Sequence, residues 1–305
     1  MAIIDDIKRL YSGGSMLMRL IIINIGAFIV LRLTILVAWL MGVDGMSLLR
    51  WVELPASLPL LARSPWTLLT YMFAHYDVWH VIFNMLWLYW LGRIFMEFFS
   101  PKQLMGVYLL GGWGGAILFL LCFNLLPHLT GSNVFLIGAS ASVIAIIVAT
   151  AVYVPDYKIG LLFIGEVALK WVVIVTLLIY LIGMMDGNYG GNIAHIGGAL
   201  VGAWYGLSIK RGRDITRPLN AMIDAVVSLF NGRAMPRAVR KSQRRRAAAP
   251  SPGNANKRTT STTPPDAVSE EELDRILKKI KDAGYDALTD AERDKLFKVS
   301  RRRNP

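Results

Sequence analysis

Six stretches of mostly apolar residues follow one another along the first two thirds of the chain. They lie near residues 18–42, 79–99, 103–126, 135–154, 167–185 and 192–209. A helix rises ~1.5 Å per residue and the hydrocarbon core of a bilayer is ~30 Å thick, so a spanning helix needs ~20 apolar residues. The pattern predicts an all-α membrane protein with six transmembrane helices. The fifth stretch is the least regular, because residues 158–170 mix charge, glycine and the β-like run IGLLFIG, which we interpret as a loop at the membrane surface.

The basic residues predict how these spans are oriented. Short cytoplasmic loops are enriched in Lys and Arg, and an even number of spans places both termini on one side. If both termini lie in the cytoplasm, Arg50 and Arg63 are the only basic loop residues on the outer side of the membrane. The first stretch is too long for a cleaved signal peptide, so we expect it to remain in the mature protein. The N-terminus does not resemble a transit peptide, which favours a bacterial plasma membrane.

Composition supports a membrane protein and argues against a nucleic-acid binder. Hydrophobic residues make up 54% of the chain and charged residues 18%, whereas soluble domains carry roughly 25% charged residues. Nearly all of the net charge of +12 falls after residue 209, because residues 1–209 carry ten basic and nine acidic side chains. The charge therefore belongs to a tail, where we expect it to serve lipid binding or topology. A single cysteine, Cys122, excludes a disulfide within the chain.

The polarity pattern divides the chain into five segments. We expect a cytoplasmic N-terminus, a six-span domain, an amphipathic helix on the inner membrane surface, a disordered basic linker and a small helical hairpin. Two capping boxes, Ser269 with Glu272 and Thr289 with Glu292, indicate the helices of the hairpin. The hairpin is suited to docking an unknown cytoplasmic partner. In order, the segments are 1–17, 18–210, 211–232, 233–267 and 268–305.

Four polar residues lie at the outer ends of spans two, four and six. His80 and Asn84 are four residues apart and share one helix face. Ser140 begins the fourth span and His195 lies near the start of the sixth. All three spans run inward from the same side, so these groups are predicted to lie at similar depth. A serine beside a histidine indicates nucleophilic catalysis, and His80 and Asn84 could donate hydrogen bonds to an oxyanion.

The serine and the histidines also fit other roles. Ser140 or His195 taken alone is more typical of helix packing or of a core histidine. His75, His80 and His195 could form a zinc site, but the HExxH pattern of metalloproteases is missing. We therefore expect no metal and no cofactor. Small residues around the serine and the histidine, Gly138 and Gly198 among them, would let the fourth and sixth spans approach closely.

Three motifs on these spans resemble the rhomboid family of intramembrane serine proteases. HYDVWHVIFNM (75–85) resembles its HxxxxHxxxN motif, GASA (138–141) its GxSG motif and AHIGGALVG (194–202) its AHxGGxxxG motif. The resemblance extends over about residues 15–210 and departs from the family at Ala141, which replaces the last Gly of GxSG.

The resemblance implies roles for individual residues. Ser140 would be the nucleophile and His195 the general base, with His80, Asn84 and the Ser140 amide in the oxyanion hole. The family's other histidine of span two corresponds to His75, which would be structural, as would Gly138 and Gly198. The pair Met184 and Met185 would belong to a movable gate.

The resemblance also implies an activity, with one alternative. The domain at 18–210 would hydrolyse a peptide bond in or next to the transmembrane segment of membrane-protein substrates through a Ser-His dyad. The alternative is a catalytically silent rhomboid-like protein that binds transmembrane helices in quality control or as a chaperone.

Overall fold

A computed structural model describes residues 15–161, 165–183 and 188–230, together with residues 276, 279, 289, 291 and 292. The chain divides into two compact units, residues 1–236 and residues 237–305, which are considered separately. Several predicted features lie outside the described residues: the N-terminal segment up to residue 14, the pair Met184 and Met185, the basic linker and most of the helical hairpin.

Helices dominate the first unit, which confirms the all-α prediction. They are α1 (Met16–Leu40), α2 (Leu58–Arg63), α3 (Thr67–Thr70), α4 (Val78–Phe98), α5 (Pro101–Leu125), α6 (Ser140–Tyr153), α7 (Leu169–Ile182), α8 (Tyr189–Lys210) and α9 (Arg217–Phe230). Turns of 3-10 helix cover Gly45–Trp51 and Tyr71–Phe73.

Four of the long helices have a polar N-cap residue. Each accepts a hydrogen bond from an amide of the first turn, which has no carbonyl partner within the helix. In α5 the cap is reciprocal, because the Gln103 side chain also accepts from the Ser100 amide at 2.8 Å. The capping residues of α1, α4, α5 and α8 are Ser15, Asp77, Ser100 and Asn188.

Two short antiparallel ladders connect the helices. Strand β1 (Leu54–Pro55) pairs with β2 (Phe135–Leu136), and β3 (Lys158–Leu161) pairs with β4 (Gly165–Ala168). The predicted start of the fourth span near residue 135 is wrong, because its helix begins at Ser140. The residues before Ser140 are held extended by the ladder with β1. The second ladder agrees with the β-like character of the run at 158–170.

Within the described residues, three helices are long and apolar enough to cross a membrane by length and composition: α1, α4 and α5. Helices α6 and α7 are apolar but shorter, with 14 residues each, and the 22 residues of α8 include several glycines. A 14-residue helix spans about 21 Å, which is less than a full hydrocarbon core. The protein is an integral membrane protein, and the count of six spans stays a prediction.

Helix α6 is the centre of the first unit. All residues from Ala141 to Ala151 are buried, so most of this helix contacts protein on every side. Helix α8 lies against it through glycines spaced four residues apart. A Cβ at Gly198, Gly202 or Gly206 would collide with a backbone carbonyl oxygen of α6. The two backbones touch because these positions have no side chain.

Helix α9 and the residues before it make polar contacts with the start of α5. The Lys102 ammonium lies 2.6 Å from Asp224 of α9, and the Gln103 amide donates at 3.0 Å to Asp214, three residues before α9. Leu219 is buried, whereas Met222 and Leu229 expose apolar surface. An apolar face that the protein does not cover is what a helix on a membrane surface presents.

Few residues of the second unit are described, and they include one predicted capping box. The Thr289 amide donates to the Glu292 carboxylate at 2.8 Å, and the Glu292 amide donates to Thr289 Oγ1 at 3.4 Å. The Lys279 ammonium lies 2.9 Å from the same carboxylate. These contacts lower the pKa of Glu292 to about 2. The other predicted box, Ser269 with Glu272, lies outside the described residues.

Candidate active site

Ser140 and His195 are in direct contact, although 55 residues separate them along the chain. His195 Nε2 lies 2.7 Å from Ser140 Oγ, within hydrogen-bonding distance. The serine is the first residue of α6 and the histidine lies in the second turn of α8. The contact exists because Gly198, one turn after His195, lies directly on the Ala141 carbonyl, one residue after Ser140.

The His195 ring is buried and supported by an aromatic side chain. It is 9% exposed, and its centroid lies 4.1 Å from that of Tyr180 in α7. Its second nitrogen, Nδ1, has no hydrogen-bond partner among the described residues. Within the described part of the chain, the histidine is thus oriented by packing and not by a carboxylate at Nδ1. Sequence reasoning missed Tyr180, because an aromatic residue in an apolar span is typical of the core.

Gly138 shapes the backbone that leads into Ser140. Its φ of +124° lies in a region that L side chains rarely adopt, and its amide donates to the Tyr71 carbonyl at 2.9 Å. A Cβ at this position would lie 2.7 Å from His80 Nε2. The glycine therefore lets the His80 ring approach the backbone beside the serine.

The hydrogen bonds of His80 indicate which ring nitrogen carries the proton. The Tyr76 amide donates to Nδ1 at 3.3 Å, so the neutral ring holds its proton on Nε2, the atom that faces Gly138. The position of the residue is set by Asp77, whose carboxylate caps α4 by accepting from the His80 amide at 2.9 Å. His80 thus presents an N–H group toward the start of α6.

Asn84 lies one turn after His80 and lines the same cavity as Ser140. Its Nδ2 donates to the His80 carbonyl at 2.9 Å, which uses one of its two amide protons. His75 is fully buried, and its ring centroid lies 5.1 Å from that of His80 in an edge-to-face arrangement. It is absent from the cavity wall around Ser140. Its structural role stays a prediction.

A cavity of about 320 Å³ opens beside Ser140, between α4, α6 and α7. Its wall is mostly apolar, and besides Ser140 it includes the polar groups of Asn84, Thr176 and Tyr180. We refer to it as the Ser140 cavity. Its lining residues are Phe83, Asn84, Trp87, Leu91, Ser140, Val143, Ile144, Ile147, Thr176, Ile179 and Tyr180.

The five predicted site residues that surround the serine are brought together by the structure: Gly138, His80, Asn84, His195 and Gly198. The predicted gate residues, Met184 and Met185, lie outside the described residues. Among the residues that the structure describes, no cluster of three or more His, Cys, Asp or Glu side chains could hold a metal ion.

Comparison with known families identifies two regions of the chain. The family model described as Rhomboid domain matches residues 62–212. A second model, described as a family of unknown function (DUF6576), matches residues 267–302. The first region holds Ser140 and His195, and the second corresponds to the predicted helical hairpin.

Two curated relatives have similar sequences over part of the chain. The RHOMBOID-like protein 12, mitochondrial, of Arabidopsis thaliana is 31% identical over 163 residues, which is 48% of this chain and 47% of that protein. The Presenilin-associated rhomboid-like protein A, mitochondrial, of Danio rerio is 27% identical over 139 residues, which is 44% of this chain and 34% of that protein. The chain thus matches half or less of the length of each relative.

Proposed function

The chain belongs to the rhomboid family, with its rhomboid domain at residues 62–212, and we propose that it is an intramembrane serine endopeptidase. The observation that carries this proposal is the 2.7 Å contact between His195 Nε2 and Ser140 Oγ. A neutral imidazole at hydrogen-bonding distance from a serine hydroxyl is the arrangement that activates the hydroxyl as a nucleophile. The pair acts as a two-residue dyad.

The geometry supports a mechanism in two steps. The Ser140 hydroxyl donates its proton to His195 Nε2 while Oγ attacks the scissile carbonyl, and the imidazolium then returns the proton to the leaving amine. In the second step a water molecule loses a proton to the same nitrogen and attacks the acyl-serine. This releases the carboxyl product and restores the Ser140 hydroxyl.

Three groups are placed to donate to the oxyanion of each step. They are the Ser140 amide at the first turn of α6, the Nε2–H of His80 and the Asn84 side chain. Asn84 reaches the oxyanion with the amide proton that its bond to His80 leaves free, or by exchanging that bond. Removing one such donor typically costs a factor of about 10² to 10³ in kcat.

The composition of the Ser140 cavity favours a transmembrane segment as the substrate. Its apolar walls on α4 and α7 suit a segment that arrives from the lipid and not from water. The scissile residues must leave their helix to reach Ser140, because backbone groups inside a helix are already hydrogen-bonded. We therefore propose single-span membrane proteins with small or helix-destabilising residues near the outer end as substrates.

The arrangement in the membrane is also a proposal. We propose six spans within residues 18–210, both termini in the cytoplasm and a gate that includes Met184 and Met185. The hairpin at 268–305 would dock a cytoplasmic partner. The two relatives are named as mitochondrial proteins, so fractionation of the native host is needed to test the bacterial plasma membrane that the sequence favours.

Cleavage of a model single-span substrate in liposomes tests the proposal. We expect that Ser140→Ala and His195→Ala each abolish cleavage and that EDTA leaves it unchanged. Ser142→Ala is the matched control, because this buried serine lies two residues away and has no hydrogen-bond partner in the described structure. A fluorophosphonate should label the wild type and the control but not Ser140→Ala.

The alternative is a catalytically silent protein that binds transmembrane helices. One observation favours it: the wall of the Ser140 cavity is apolar enough to contact side chains of a transmembrane helix whether or not the dyad reacts. It predicts that wild-type protein neither cleaves several substrates nor reacts with the fluorophosphonate, yet retains a single-span protein in detergent pull-downs. That result would contradict the proposal that the protein is a protease.

A further inference from the structure

Arg50 and Arg63, the two arginines that do not fit the predicted charge distribution, line one cavity. The cavity holds about 470 Å³ and is formed by the Gly45–Trp51 turn, α2 and the segment that leads into β2. We refer to it as the two-arginine cavity. Its lining residues are Arg50, Trp51, Pro55, Leu60, Arg63, Ser64, Trp66, Asn133 and Phe135.

The charge of this cavity is positive. Its lining contains two guanidinium groups and no carboxylate. Glu53, outside the lining, pairs with Arg50 through Nε at 3.8 Å, and the Glu53 side chain is only 11% exposed. This long contact occupies the Nε side of the guanidinium. Arg63 forms no ion pair with any carboxylate that the structure describes.

An aromatic side chain holds Arg50 in place. Its guanidinium carbon lies 3.7 Å from the centroid of the Phe135 ring, as in a cation–π contact. Phe135 belongs to β2, which pairs with β1 directly after the Gly45–Trp51 turn. The arginine is thus oriented by the ladder, which reduces the entropy it would lose on binding a ligand.

The cavity carries side chains that are typical of the membrane–water interface. Trp51 and Trp66 form its rim, with ring centroids 6.1 Å apart, and the Trp66 indole donates to the Trp51 carbonyl at 2.8 Å. These rings are 63% and 44% exposed, and tryptophan is enriched where the membrane meets water. Neighbouring Leu58 and Leu60 are also exposed. Exposed apolar side chains in the same lining as two arginines are suited to the boundary between acyl chains and phosphates.

We infer that the two-arginine cavity binds the phosphate of an anionic phospholipid headgroup in the outer leaflet. The planar guanidinium matches phosphate oxygens in a bidentate geometry, and two of them without a carboxylate favour a headgroup of net negative charge. The Asn133 amide adds an uncharged donor in the wall. Only the choice of leaflet depends on the proposed orientation.

Native mass spectrometry of the full chain tests this inference. Protein from mixed micelles of phosphatidylglycerol and phosphatidylcholine should retain phosphatidylglycerol preferentially. The Arg50→Gln, Arg63→Gln double variant should lower the retained ratio about tenfold, which corresponds to about 1.4 kcal/mol. The matched control is Arg93→Gln, an arginine of α4 that lines a different cavity. Equal retention by wild type and double variant, or an equal loss in the control, would overturn the inference.

Two further arms separate the remaining explanations. Soluble glycerol phosphate at millimolar concentration should not displace the lipid, and displacement would assign the cavity to a free phosphate ester. If the double variant does not melt cooperatively in phosphatidylcholine alone, Arg63→Lys replaces it. This variant keeps the charge but loses the bidentate fork, and it should still lower the ratio. None of these measurements requires proteolysis, so the inference and the proposed protease fail independently.

Discussion

Substitution of Gly198 by alanine tests whether the contact between α6 and α8 builds the active site. A Cβ at this position would overlap the Ala141 carbonyl oxygen and lie 2.9 Å from its carbon, whereas ordinary contacts begin at 3.4 Å. The neighbour is backbone and cannot rotate away. The overlap with the carbonyl oxygen requires the two helices to separate by about 1 Å, and overpacking of this kind costs about 1–3 kcal/mol.

The separation acts directly on the dyad. His195 precedes Gly198 by one turn, and Ser140 precedes Ala141 by one residue, so a shift here lengthens their 2.7 Å contact. Hydrogen bonds of this kind weaken beyond about 3.0 Å. Because a misplacement of about 1 Å can cost about 10²-fold in rate, we expect kcat to fall at least tenfold.

Two alanine substitutions serve as controls. In Gly206→Ala the new Cβ would lie 2.8 Å from the Ala149 carbonyl oxygen, but this contact is 11 residues beyond His195, or about 16 Å along α8. It should lower stability similarly and kcat much less. In Gly26→Ala no atom lies within 4 Å of the new Cβ, so stability and kcat should stay close to wild type.

Thermal unfolding and cleavage rate are measured on the same preparations. Cys122 is the single cysteine of the chain and is partly buried, so a thiol-reactive dye reports unfolding without added labels. Rates are compared well below the lowest melting temperature. Wild-type stability in Gly198→Ala, or an equal fall of kcat in Gly198→Ala and Gly206→Ala, would refute the reasoning.

Three further predictions follow from single contacts. Gly115→Ala should destabilise the fold, since its Cβ would lie 2.7 Å from that of Ala141, and adding Ala141→Gly should recover part of the loss in the same unfolding assay. Tyr108→Phe removes a buried hydroxyl that donates to the Met72 carbonyl at 2.7 Å. The substitution leaves that carbonyl without a donor, so it should lower the melting temperature, and an unchanged melting temperature would contradict this. The pKa of Glu292 is lowered to about 2, so the contacts of its carboxylate should persist above pH 4.5 and be lost as the pH falls toward 2. An NMR titration of this carboxyl group that gives an ordinary pKa would disprove this.

The departure at Ala141 from the GxSG motif has a local explanation. Its methyl group faces Gly115 of α5, which has no side chain to oppose it. The sequence shows only the departure, because a neighbour in space determines whether a methyl group fits. The structure accommodates it one residue from Ser140.

The sequence by itself determined most of the helical architecture. Long apolar stretches in a membrane must form helices, because every backbone group needs an internal partner there, and the polar residues that cap α4 and α5 can be recognised in the sequence. The motifs also identified Ser140 and His195, because their spans run in the same direction and place both near the same surface.

Tertiary contacts decided what local pattern could not. The start of α6 depends on a ladder between Leu54–Pro55 and Phe135–Leu136, which joins segments about 80 residues apart, so apolar character alone extended that span too far. The support of His195 by Tyr180 also joins separate helices. So does the arrangement of Arg50 and Arg63 around one cavity. Hydrophobicity determines which segments enter the membrane, whereas the fit between their surfaces determines which side chains meet.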